Sequence, residues 1–111
     1  MDRPRDPWAG EKMSRADAQR RYSNLVLYQF RPMITNKKMS EENRITALKR
    51  IIREASRFRY ESGVVAQGGI REEVIDLSAP YFKPDSGISE ELKGWLVRCM
   101  RAFGANLENE D

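Results

Sequence analysis

Lys49, Arg50, Arg53 and Arg57 share one face of a helical period running from Ser40 to Gly63, and their chemistry is the capture of anions. At about 100° per residue the opposite face collects Ile45, Ala47, Leu48, Ile51, Ile52, Ala55 and Phe58. A solvated helix face ordinarily mixes both signs, often as Glu–Lys pairs four residues apart. Between Arg44 and Tyr60 the one acid is Glu54, and Arg53 and Arg57 repel each other at i,i+4. Such a ridge predicts an anionic partner, nucleic acid first and an acidic protein surface second. Arg20 and Arg21 on the preceding helix, with Lys37 and Lys38 in the turn between, complete the predicted phosphate-binding set. Tyr28 and Tyr60 offer rings that can stack on an unpaired base. Nothing in the pattern distinguishes DNA from RNA.

Catalytic chemistry finds little to work with. The chain has no histidine, which removes the commonest general base and metal ligand. Its one cysteine, Cys99, lies on an apolar stripe between Trp95 and Phe103, where a thiol is a small, inert core residue. One cysteine without histidine cannot build a zinc site, and it rules out an internal disulfide. Glu41-Glu42, Glu72-Glu73 and Glu90-Glu91 are adjacent pairs, and helical neighbours diverge by about 100° instead of converging on one proton. Two of those pairs follow Ser40 and Ser89, where the positive end of a helix dipole accounts for them. Gly68-Gly69 lacks the longer glycine pattern and the lysine of a phosphate-binding loop and reads as a simple hinge or turn. The expectation is a binding protein with no enzymatic activity, no cofactor and no metal.

The elements that must position the ridge follow from period and punctuation. With 111 residues, 40% hydrophobic and 33% charged, the chain predicts one globular domain with a single modest core. The expected fold class is all-α: a small orthogonal or bundle-like domain of three main helices over about 14–31, 40–62 and 89–103, plus a short helix over about 70–77. Ser14 caps the first helix, whose stripe is Ala18, Tyr22, Leu25, Val26 and Gln29, and Pro32 is expected to end it. Ser40 and Gly63 bracket the second. Leu92, Trp95, Leu96, Cys99, Met100 and Phe103 give the last an unbroken i, i+3, i+4 pattern. Residues 79–84, bracketed by prolines, read as an extended loop. Around the domain at 13–104 stand a flexible arm, 1–12, with Trp8 as a possible anchor, and an acidic tail, 105–111.

Charge is divided along the chain. Met1 to Arg59 holds 15 Lys and Arg against 7 Asp and Glu, whereas Tyr60 to Asp111 holds 5 against 10. That division fits a basic binding surface, and it fits equally a chain that stacks on copies of itself. A protein–protein adaptor, or a small subunit of a larger assembly, is the alternative. Its predicted contact is the apolar surplus of Leu27, Tyr28, Phe30, Met33 and Ile34. Leu27-Tyr28-Gln29, with Arg31 and a later Phe58, loosely resembles the signature of the small mitochondrial LYR adaptors. The third position here is Gln and a proline follows at once, so the resemblance assigns no family. No run approaches a membrane span and residues 1–11 lack a secretory apolar stretch, so an intracellular setting, cytoplasm or nucleus, is expected.

Overall fold

Ser14 opens the first helix as its sequence predicts, its hydroxyl accepting from the Asp17 N–H at 3.0 Å. The computed structural model describes residues 13–107, and among them every regular element is helical. The N-terminal arm with Trp8 and residues 108–111 of the tail lie outside the described residues. A single rod is built from α1 (Arg15–Leu25), a π-helical segment (Val26–Phe30) and α2 (Arg31–Thr35). After a turn come α3 (Glu41–Ser62), α4 (Gly68–Ser78) running into a 3-10 turn (Ala79–Phe82), and α5 (Glu90–Ala102).

Pro32 does not end the first helix at residue 31. Arg31 keeps φ −61 and ψ −47, and its N–H reaches back five residues to the Val26 carbonyl. Pro32 then falls in the first turn of α2, where a missing N–H costs little. The reason for the π turn lies in the spacing of the buried residues. Ala18, Tyr22, Val26, Phe30 and Ile34 are all core residues at a strict i+4 interval. In an ideal α-helix such a series drifts by about 40° per step, roughly 160° in all. One extra residue held in a wide turn removes about 100° of that drift and returns Phe30 and Ile34 to the core. Gln29, expected on the buried stripe, is correspondingly turned out to solvent beside Leu27 and Tyr28.

α3 is the central element. It packs against the rod on one side and α5 on the other, while α4 closes against α2, the π segment and α5. The rod runs antiparallel to α3. Near its start the Met13 N–H bonds the Glu61 carbonyl at 3.2 Å, and Tyr22 meets Phe58 edge-on with ring centroids 5.5 Å apart. Phe103 adds a third ring 5.8 Å from Tyr22, and Leu48, Ile51, Val74, Leu92 and Leu96 fill the remaining centre. Burial of each large side chain contributes about 1.5–3 kcal/mol. Ser40 and Ser89 cap α3 and α5, and the Glu41 carboxylate accepts from the Ser89 N–H (3.0 Å) and hydroxyl (2.7 Å), joining the two helix starts.

The connection after α3 is held from several directions. Gly63 takes φ 78 and donates to the Arg59 carbonyl, as its place after the last turn requires. The Tyr22 hydroxyl donates to the Val64 carbonyl at 2.8 Å, and the Gln19 amide donates to Val65 O and accepts from Gln67 N, both at 2.8 Å. Gly68 and Gly69 are not a hinge outside the short helix; they form its first turn. Residues 79–82 coil into the 3-10 turn where an extended loop was expected. Ala105 and Leu107 still pack on the core, so the packed unit runs past Gly104.

Candidate nucleic-acid interface

The outward face of α3 carries the predicted ridge: Lys49, Arg50, Arg53 and Arg57 are all exposed. Because the rod lies antiparallel against α3, Arg20 and Arg21 of α1 come to the same side of the molecule. Arg20, Arg21, Asn24, Tyr28, Gln29, Glu54 and Arg57 line one open groove of about 460 Å³ between the two elements. Leu25 and Phe58 also line it. The spacing of Arg21, Asn24 and Tyr28, at i, i+3 and i+7, is what places three side chains on one wall.

The cations along this surface differ in how firmly they are held. The Arg57 guanidinium meets the Glu54 carboxylate at 2.8 Å and that of Glu61 at 3.7 Å. Its hydrogen bond with Glu54 raises its pKa, and the two negative charges add to the effect. Arg20 pairs with Asp17 one turn back. Among the described residues no carboxylate lies within ion-pair reach of Arg21, Arg50 or Arg53. Lys49 leans the other way, its ammonium 5.2 Å from the Trp95 ring on α5, which the Arg98 guanidinium also approaches at 4.5 Å.

Two predicted residues are not brought to the groove. Lys37 and Lys38 are exposed in the turn that precedes α3, and Arg57 stands about 24 Å along the helix from its first residue. Lys37 instead borders a separate cavity of about 440 Å³ with Ile34, Asp76, Leu77, Pro80, Tyr81 and Ser86.

The apolar surplus predicted as a protein contact is divided. Phe30, Met33 and Ile34 are buried in the chain's own core, because the π turn directs them inward. Leu27, 37% exposed, and Tyr28, 68% exposed, remain on the surface. Glu73 of α4 pairs with Arg31 of the rod, its carboxylate accepting from Arg31 Nε at 2.8 Å.

One arginine that sequence reasoning left without a role does structural work. Arg44 is buried, 6% exposed, and its guanidinium donates to the carbonyls of Met33 (3.1 Å), Ile34 (3.3 Å) and Asn36 (2.6 Å) and to the Tyr81 hydroxyl (2.6 Å). It thereby caps the end of α2. The signal was present, since Arg44 lies four residues before Leu48 and seven before Ile51 on the apolar stripe. Glu61, the second acid at Arg57, stands one residue beyond the Arg44–Tyr60 stretch in which Glu54 is the one acid.

The arrangement offers guanidinium groups for phosphate, amides at Asn24 and Gln29 for hydrogen bonding, and a phenol ring for stacking. Cys99 is fully buried and burial pushes its thiol up to about 12, leaving it un-ionised at neutral pH. Among the described residues no three cysteine or carboxylate side chains gather as metal ligands, and no helix is long and apolar enough to cross a membrane. Comparison with protein-family models, with curated proteins and with solved structures finds no match to this chain.

Proposed function

We propose that this protein binds the phosphate backbone of nucleic acid, without catalysis, through the arginine surface of α1 and α3. The observation that carries the reading is the groove in which Arg20, Arg21 and Arg57 meet, continued along α3 by Arg50 and Arg53. Among the described residues no carboxylate lies within ion-pair reach of Arg21, Arg50 or Arg53, so no ion pair there rewards their clustering. Phosphates would reward it, through charge-assisted hydrogen bonds and counterion release. The protein-adaptor alternative is weakened, since three of its five contact residues are spent on the core.

The test is fluorescence anisotropy with labelled single- and double-stranded oligonucleotides at several salt concentrations. Wild type is compared with a triple variant, Arg21→Glu, Arg50→Glu and Arg53→Glu, chosen because these exposed side chains hold no hydrogen bond or ion pair among the described residues. Expected are affinity that falls steeply with salt and a slope reduced by about two to three in the variant. A folded wild type that binds no oligonucleotide at low salt sinks the reading.

A further inference from the structure

We infer that the groove selects single-stranded nucleic acid, with Tyr28 stacking on an unpaired base between phosphates held by arginines of the two walls. This rests on the backbone-binding reading above and adds the class of strand. The first ground is the position of Tyr28. Its ring is 68% exposed on a rod whose other aromatic side chains, Tyr22 and Phe30, are wholly buried. It lines the groove with Arg20, Arg21 and Arg57, and the apolar Leu25 and Phe58 that share the lining are themselves buried. Its i+7 spacing from exposed Arg21 places it on the outer wall of the rod.

The second ground is the character of the lining. Asn24 and Gln29 present amides, each able to donate and accept. Glu54 presents a carboxylate, which repels phosphate but accepts from a base N–H or amino group. The same carboxylate holds Arg57 at 2.8 Å. A lining that mixes arginines, amides and one carboxylate suits an alternation of phosphate and base. In a duplex the bases are stacked inside and only their edges are reachable, so a tyrosine face has nothing to cover. In a single strand each base has a free face, and aromatic stacking supplies affinity with little sequence preference.

The experiment measures anisotropy with a labelled 20-mer of oligodeoxythymidylate or oligouridylate, and with the corresponding oligodeoxythymidylate duplex, for wild type, Tyr28→Ala and Tyr28→Phe. Wild type is expected to bind single strands at least about tenfold more tightly than duplex. Tyr28→Ala is expected to weaken single-strand binding by about 5- to 100-fold, with duplex binding and the salt slope unchanged, while Tyr28→Phe stays near wild type. Oligonucleotides carrying 2-aminopurine should lose fluorescence on binding wild type and Tyr28→Phe, but not Tyr28→Ala. Equal affinity for both strand types, or single-strand binding unmoved by Tyr28→Ala, overturns the inference and leaves backbone binding standing. Loss of duplex and single-strand binding alike in Tyr28→Ala also overturns it. Absence of all binding overturns both readings together.

Discussion

Arg44 and Arg53 leave the same helix in opposite directions, and the fold treats them as different residues. Arg44 points into the molecule, where its donors meet three backbone carbonyls and the Tyr81 hydroxyl, with no carboxylate among those partners. Carbonyls at the end of α2 carry the negative end of its dipole, and together they do for a full positive charge what an acid would do. The Tyr81 ring adds a face 5.3 Å from the guanidinium carbon. Arg53 points outward, exposed, with no carboxylate within ion-pair reach among the described residues. The lesson is that an arginine's role on a helix is decided by the acceptors the fold supplies. Where they are supplied the cation is structural, and where they are not it is available to a partner.

The sharpest way to break this contrast is to remove each side chain in turn. Arg44→Met keeps much of the volume but removes four hydrogen bonds from a charged donor, while Met33 O keeps the Asn36 N–H, Asn36 O the Met39 N–H and Ile34 O the Tyr81 hydroxyl. A hydrogen bond to a charged group contributes about 1.5–3 kcal/mol, so urea denaturation should show a loss of about 3 kcal/mol. Arg53→Met should stay within about 0.5 kcal/mol of wild type. Equal losses would mean that the two faces of α3 are not distinct.

A second test uses pH, which acts on the inner side through Cys99. Burial raises the Cys99 pKa from 9.0 to about 12. Above pH 9 the unfolded thiol releases a proton that the folded thiol retains, so the folded state binds more protons. Stability is therefore complete below pH 9 and falls as pH rises toward 12, by about 1.4 kcal/mol per unit. Cys99→Ala should show a flatter decline over that window than wild type in denaturation series at pH 8, 9 and 10. Oligonucleotide affinity of wild type and Cys99→Ala at pH 8 should agree, because Cys99 is buried away from the ridge. Identical declines for wild type and Cys99→Ala would show that the thiol is hydrated.

The elements were largely legible in the residues. Ser14, Ser40 and Ser89 cap the helices where their hydroxyl chemistry predicts, and Gly63 takes the left-handed conformation expected after α3. What local rules misplaced was the course of the rod through Pro32. A proline argues against the α conformation in the residue before it, but that rule assumes a regular helix, and the wide turn ahead of Arg31 changes the register in which the proline sits. The i+4 series from Ala18 to Ile34 held the clue, since only a longer turn keeps those five residues on one face. The union of α1 and α3 arginines depended on antiparallel packing, which no single helix encodes. Arg44 was hidden because an arginine on an apolar stripe makes sense only once the carbonyls at the end of α2 are in view.

The smallest expected effect falls on Glu54, which sits between the two kinds of arginine because it holds Arg57 to the fold while Arg57 borders the groove. Glu54→Gln removes one negative charge from the lining and leaves Arg57 with the longer contact to Glu61. An exposed pair of this kind is worth about 0.2–1 kcal/mol, so stability should fall by about 0.5 kcal/mol. Affinity for oligonucleotides should move the other way, rising a few-fold at low salt, with the salt slope steeper by about 0.7–0.9 as one more cation engages phosphate. Anisotropy titrations of wild type and Glu54→Gln across salt concentration read both quantities. A variant that loses stability without gaining affinity would place Arg57 with Arg44, as a residue the fold has already used, and would confine the binding surface to Arg21, Arg50 and Arg53.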